Sequence, residues 1–155
     1  MRALLTALAV FLLDMGSKYL VQRLMAPEER IPVIKGVFYL TLVRNPGAAF
    51  GMLANRTSFF IFITVVVVGL LLYYSRHYAG NHWLWPVAIG LQLGGALGNL
   101  VDRLRYGRVV DFLDFQVWPV FNVADMAIVS GVGLFVLLLW RTPAAAKPDR
   151  AGGGG

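Results

Sequence analysis

Between Asn99 and Asp125 the chain gathers four of its eight acidic residues, Asp102, Asp111, Asp114 and Asp125. The stretch, NLVDRLRYGRVVDFLDFQVWPVFNVAD, also holds Arg103, Arg105, Arg108, Asn99 and Asn122, and it lies between two strongly apolar segments. Charge beside membrane-seeking sequence is expensive, so its presence points to a working site. Asp111 follows the basic YGR turn and Asp125 opens the next apolar segment; the two segments enter the membrane region from one face, so the carboxylates can meet. Two adjacent carboxylates do not both ionise cheaply, and one keeps its proton. The ionised partner can act as general base on a water, while the protonated one polarises a peptide carbonyl and later helps to protonate the leaving amine. This is aspartic-protease chemistry, with neither metal nor covalent intermediate. Two other readings fit the same residues. In one, the acids pair with Arg103, Arg105 or Arg108 as a surface network. In the other, a small bundle binds or transports ions through Asp14, Lys18 and Asp125.

Composition narrows the field. The chain has 155 residues, 58% hydrophobic and 14% charged, with mean hydropathy +0.67, whereas soluble domains carry roughly a quarter charged residues. It is a membrane protein by composition, and its length suits one domain. A net charge of +6 suits anionic lipid headgroups. Nucleic acid is a poor partner, because the arginines are scattered among apolar segments and form no stripe. Without cysteine there is no disulfide framework, thiolate nucleophile or sulfur ligand. His77 and His82 share one short connection on the opposite face from the acids, so neither a serine–histidine pair nor a convergent metal site is expected.

The elements that must position the acids follow from hydropathy. Four segments approach the twenty or so apolar residues that span a bilayer: Ala3–Val21, Ser58–Ser75, Trp83–Val101 and Val123–Trp140. Met1-Arg2 and the following apolar run have the shape of a signal peptide. No small-x-small cleavage site follows, so the segment reads as a retained anchor. Asp14 and Lys18, four apart on one helical face, form an ion pair near the membrane surface or brace a functional site. Gly94 and Gly98 make a G-x-x-x-G face for close helix packing. Between the first two spans, VIKGVFYLTLVRN is rich in β-branched and aromatic residues, which predicts a small surface sheet or curved strand pair. The run Asn45-Pro46-Gly47-Ala48-Ala49-Phe50-Gly51 then predicts a turn. Beyond Arg141 the Pro/Gly-rich tail reads as disordered.

With four spans both termini share one side. Five cationic residues mark that side and eight mark the other, so the positive-inside rule taken literally puts the termini outside. Arginines that serve a site or bind headgroups are not free topology signals, and the count alone leaves orientation open.

Five motifs in order complete the reading. They are Asp14-x-x-x-Lys18; Asn45-x-Gly47-Ala48-Ala49-Phe50-Gly51; Gly94-Gly95-Ala96-x-Gly98-Asn99-x-x-Asp102-Arg103; Gly107-x-Val109-Val110-Asp111-Phe112; and Phe121-Asn122-x-Ala124-Asp125. With them, and over nearly its full length to about Arg141, the chain resembles bacterial lipoprotein signal peptidase (signal peptidase II), an integral membrane aspartic protease family. The resemblance implies a mainly α fold of four transmembrane helices with a small extracytoplasmic β-rich cradle between the first and second. It implies a single peptidase domain over 1–141 and a cytoplasmic tail over 142–155. It names Asp111 and Asp125 as the catalytic pair, with Asn45, Asn99, Arg103 and Asn122 holding substrate or the acids. Asp14, Lys18 and Asp102 become structural supports. The implied substrate is a diacylglyceryl prolipoprotein, cut immediately before its lipidated cysteine. The implied setting is the bacterial inner membrane, with the site near the periplasmic face and the termini cytoplasmic. Globomycin-like inhibition is implied as well; no cofactor is needed, and a monomer suffices.

Overall fold

Four helices carry the chain through its apolar segments, and a three-stranded sheet sits at one end of them. The structure, a computed structural model, describes residues 1–47, 56–77 and 82–141. The helices are α1 (Arg2–Leu24), α2 (Thr57–His77), α3 (Leu84–Tyr106) and α4 (Val123–Arg141), all long and apolar enough to cross a membrane. At about 1.5 Å per residue each reaches about 30 Å, the thickness of a hydrocarbon core. Helices are required there because every backbone polar group must be satisfied within its own segment.

Helix α3 is central. It packs against α1, α2 and α4, and 56% of its apolar window is buried against 6% for α2, which is a lipid-facing span. Close approach comes from the glycines. A Cβ at Gly94 would stand 2.5 Å from the Ala7 carbonyl oxygen on α1, and one at Gly95 would run into the Ala124 carbonyl on α4. The predicted G-x-x-x-G face is therefore the seam with α1. On α1 the buried residues Ala7, Val10, Asp14 and Lys18 recur every three or four positions, so the face turned to α3 is apolar at one end and charged at the other.

All four predicted spans appear, and the third runs further than expected. Hydropathy ends it at Val101, before the charges, yet α3 continues to Tyr106. Asp102 does not break it because its carboxylate is satisfied inside the protein. Gly107, in the left-handed region at φ 68°, then ends the helix, and its N–H bonds the Arg103 carbonyl at 3.0 Å.

The predicted strand pair is β1 (Arg30–Ile34) and β2 (Phe38–Asn45), antiparallel. Gly36 at φ 78° lies in the turn between them. A third strand, β3 (Val109–Asp114), comes from the acidic stretch and pairs antiparallel with the other edge of β2, giving the order β1-β2-β3. From sequence alone this segment is only part of a connection. Met25, Leu42 and Val110 form a small core that seats the sheet on the end of α1. Of the expected turn run, Asn45 to Gly47 are described; residues 48–51 and the tail at 142–155 lie outside the described residues.

Candidate active site

The sheet brings Asp111 to the start of α4. Strand β3 places its carboxylate opposite the end of β2, where Val43 pairs with Asp111 and Asn45 with Val109. Asn45 donates its amide to Asp111 Oδ2 at 2.9 Å, and its own carbonyl oxygen accepts the Gly47 N–H at 3.0 Å, which fixes which way the side chain faces. The other oxygen, Asp111 Oδ1, accepts from Asn122 Nδ2 at 2.6 Å.

Asn122 caps α4. Its side-chain oxygen accepts the Asp125 N–H at 2.9 Å, and Asp125 Oδ2 accepts the Asn122 N–H at 3.3 Å. This reciprocal pairing across three residues is a capping box, and it holds Asp125 in the first turn, where the helix dipole favours negative charge. Asp125 Oδ1 accepts a second bond, from Asn99 Nδ2 at 2.8 Å. One asparagine thus touches both aspartates, through its side chain on Asp111 and its backbone on Asp125.

Burial decides how these groups behave. Asp111 is 2% exposed and Asn122 fully buried, while Asp125 is only half-buried. Loss of hydration, reinforced by the neighbouring Asp125 charge, pushes the Asp111 carboxyl up to about 7, against the opposing bonds from Asn45 and Asn122. A carboxyl poised there is suited to carry a proton at neutral pH.

Behind the pair lies a buried ion cluster. The Lys18 ammonium meets Asp14 Oδ2 at 2.8 Å, Asp102 Oδ2 at 2.9 Å and Asn99 Oδ1 at 3.0 Å. Lys18, Asp14 and Asp102 are all essentially inaccessible. The ammonium thus lies between two carboxylates at ion-pair distance and one amide oxygen to which it donates a hydrogen bond. Gly98 makes this possible, since a Cβ there would collide with the Asp14 carboxylate.

Asn45, Asn99, Arg103, Asp111 and Asp125 line one cavity of about 230 Å³, closed on its other side by Trp118 and Phe121. A second, mainly apolar cavity of about 430 Å³ shares Trp118, Phe121 and Asp125 and runs on along α4 past Met126 and Ser130. A larger space of about 680 Å³ lies at the opposite end, around Arg2, Arg76 and His82, and none of the described residues that line it is a carboxylate.

Every residue expected at the site is brought together, although Arg103 differs in how. It lines the cavity, but its guanidinium sits over the Phe60 ring at 4.9 Å and forms no ion pair among the described residues. Arg105 and Arg108 are exposed and pair with neither aspartate, so a surface network of acids and arginines is not what forms. Asp114, for which sequence suggests no role, staples the sheet by accepting from Thr41 at 2.9 Å and pairing with Arg30 at 3.2 Å.

A sequence profile described as signal peptidase (SPase) II matches residues 6–141. The chain belongs to the signal peptidase II family. Its class is that of an aspartic-type membrane hydrolase. A lipoprotein signal peptidase of Moorella thermoacetica is 51% identical over 138 residues, covering 89% of this chain and 90% of its own. Another, from Caldanaerobacter subterraneus, is 52% identical over 132 residues, covering 84% and 90%. A bacterial membrane enzyme solved by the in meso method at 2.3 Å superposes with a TM-score of 0.86 at 33% identity, covering 97% of this chain and 94% of its own. For a signal peptidase II, the features that sequence reasoning misses are β3 and the double contact of Asn122. The β-branched pair Val109-Val110 is a signal for the strand, and N-x-x-D ahead of an apolar run is a signal for the cap.

Proposed function

We propose that Asp111 and Asp125 are the catalytic dyad of an endopeptidase that removes the signal peptide from diacylglyceryl-modified prolipoproteins, cutting before the lipidated cysteine. The observation that carries this is Asn122, which binds both carboxylates in one cavity. In this reading Asp111 carries the resting proton and Asp125 is the base. Asp125 takes a proton from water as the oxygen attacks the scissile carbonyl, while Asp111 gives its proton to the carbonyl oxygen. The tetrahedral intermediate then collapses: Asp125 passes its proton to the leaving amine of the cysteine, and Asp111 recovers the one it lent. Protons and electrons balance over the cycle without a cofactor.

Arg103, Asn45 and Asn99 line the same cavity and would hold the substrate backbone, with donors to spare for carbonyl oxygens. The apolar cavity along α4 would receive the hydrophobic part of the substrate, whose acyl chains stay in the bilayer. The dyad end faces outward from the bacterial inner membrane and the termini face the cytoplasm. The chain acts as a monomer, and globomycin-like peptides compete at the cavity.

A gel-shift assay on a diacylglyceryl precursor tests the assignment. Asp111→Asn and Asp125→Asn should each abolish cleavage, by at least about 10⁴-fold for loss of a member of a catalytic unit, while the proteins insert and melt cooperatively. Cleavage that survives either substitution in a folded protein would refute the dyad.

A further inference from the structure

The ion cluster behind the site has a second set of contacts. Asp102 Oδ2, besides meeting Lys18, accepts the backbone N–H of Val110 at 3.1 Å. Asp14, through Oδ1, accepts the backbone N–H of Ala124 at 2.9 Å. Val110 and Ala124 are the residues immediately before Asp111 and Asp125. The third acceptor on the ammonium, Asn99 Oδ1, belongs to the amide that donates to Asp125 itself. We infer that Lys18 is a positioning residue for both aspartates, one buried ammonium whose contacts with Asp14, Asp102 and Asn99 fix the separation of the two backbone segments that carry them. The inference rests on Asp111 and Asp125 being the dyad.

Stability alone explains the cluster poorly. Taking an ammonium and two carboxylates out of water costs several kcal/mol per ion, and well-packed apolar replacements are often neutral or better. The α1–α3 seam is already closed by glycines at Gly90 and Gly94, against the carbonyls of Ala3 and Ala7. What the ions add is distance control. Asp111 hangs from a strand and Asp125 from a helix; Asn122 and the Leu113–Phe121 bridge join the two segments directly, and the ammonium ties the same segments from behind, through α1 and α3. An ammonium enclosed by two carboxylates at 2.8 and 2.9 Å and an amide oxygen at 3.0 Å tolerates little change in their spacing, and the two carboxylates hold the chain one residue before each aspartate of the pair. None of Lys18, Asp14 and Asp102 lines the catalytic cavity, so the cluster acts through the backbone and Asn99, never on the substrate.

Two variants of the full chain, purified and assayed on a diacylglyceryl precursor, test this. Lys18→Arg keeps the charge but replaces the compact ammonium with a longer planar fork that cannot hold three converging acceptors at the same separation. The neutral triple variant Asp14→Asn/Lys18→Met/Asp102→Asn leaves side-chain oxygens for both backbone N–H groups while removing the ammonium between them. Each should lose about 100-fold in kcat, the scale of a misplacement of about 1 Å, with KM little changed. A merely structural lysine predicts otherwise, since Lys18→Arg would restore kcat and the folded triple variant would turn over normally. Either result overturns the inference, and Lys18→Arg remains readable if the triple variant does not fold. Asp111→Asn run alongside separates the two levels of failure. Cleavage by that variant removes the dyad reading and this inference with it; an inactive Asp111→Asn beside a fully active Lys18→Arg removes the positioning role alone.

Discussion

At the scale of single residues, the site depends on a difference between two carboxylates. Asp111 is enclosed and bonded only by neutral amides, whereas Asp125 is partly open, sits in a capping box and stands one amide away from an ammonium. Burial and the Asp125 charge raise the Asp111 carboxyl from its ordinary 3.8 to about 7. The native chain therefore keeps a proton that the unfolded chain releases over that interval. For a group whose pKa is raised in the folded chain the native state is favoured at low pH, so this group's contribution to stability falls as pH climbs from about 4 to about 7. Two consequences are measurable. Cleavage should decline above pH 7 by about tenfold per unit as Asp111 loses the proton it must donate, and a profile flat from pH 6 to 9 would contradict that role. Asp111→Asn should gain in stability over wild type as pH rises from about 4 to about 8, by an amount on the order of 4 kcal/mol, with the difference gone near pH 4 in thermal melts. The carboxylates stand out in the sequence because their type and setting are unusual. Asn122 is legible there as a contact, but its double engagement depends on the register of β3 against α4.

Elements explain how residues so far apart reach one another. The four spans are legible because lipid imposes a length and a polarity on any helix that crosses it. Strands β1 and β2 are legible from β-branched and aromatic content. Strand β3 is not, because its pairing partner β2 lies more than sixty residues earlier, and hydropathy carries no information on long-range pairing. The end of α3 is hidden for a related reason: Asp102 looks like a boundary until its partners Lys18 and the Val110 N–H are in view. Glycines in the spans separate by the same criterion. Gly98→Ala should cost about 1–3 kcal/mol from overpacking, because its methyl would run into the Asp14 carboxylate, and it should reduce activity by disturbing the cluster. Gly133→Ala has open space within 4 Å and should leave both unchanged. Paired melting curves and cleavage rates decide it. Equal behaviour of the two variants would mean that the α1–α3 seam adjusts freely.

The whole molecule is polarised, with the sheet and the cavity lined by Asp111 and Asp125 at one end and both termini of the described chain at the other. Cation counting points to termini outside, with eight positive residues on the dyad side against five. Three of those eight have other partners. Arg30 pairs with Asp114 at 3.2 Å and lies over the Tyr39 ring at 4.0 Å, Arg23 sits over Tyr19 at 5.3 Å, and Arg103 sits over Phe60 inside the cavity lining. Setting those aside leaves five on each side, so the rule favours neither orientation, and the proposed one rests on the substrate's route. A precursor anchored in the outer leaflet presents its lipidated cysteine at the headgroup level, which is where the dyad must then sit. The absence of native cysteine makes this directly testable. Val117, 91% exposed beside the cavity, and Arg141, exposed at the end of α4, lie at opposite ends of the molecule. In intact spheroplasts a membrane-impermeant maleimide should label Val117→Cys and should reach Arg141→Cys only after permeabilisation. Labelling of Arg141→Cys alone would turn the molecule over and place the dyad on the side where no lipidated precursor waits.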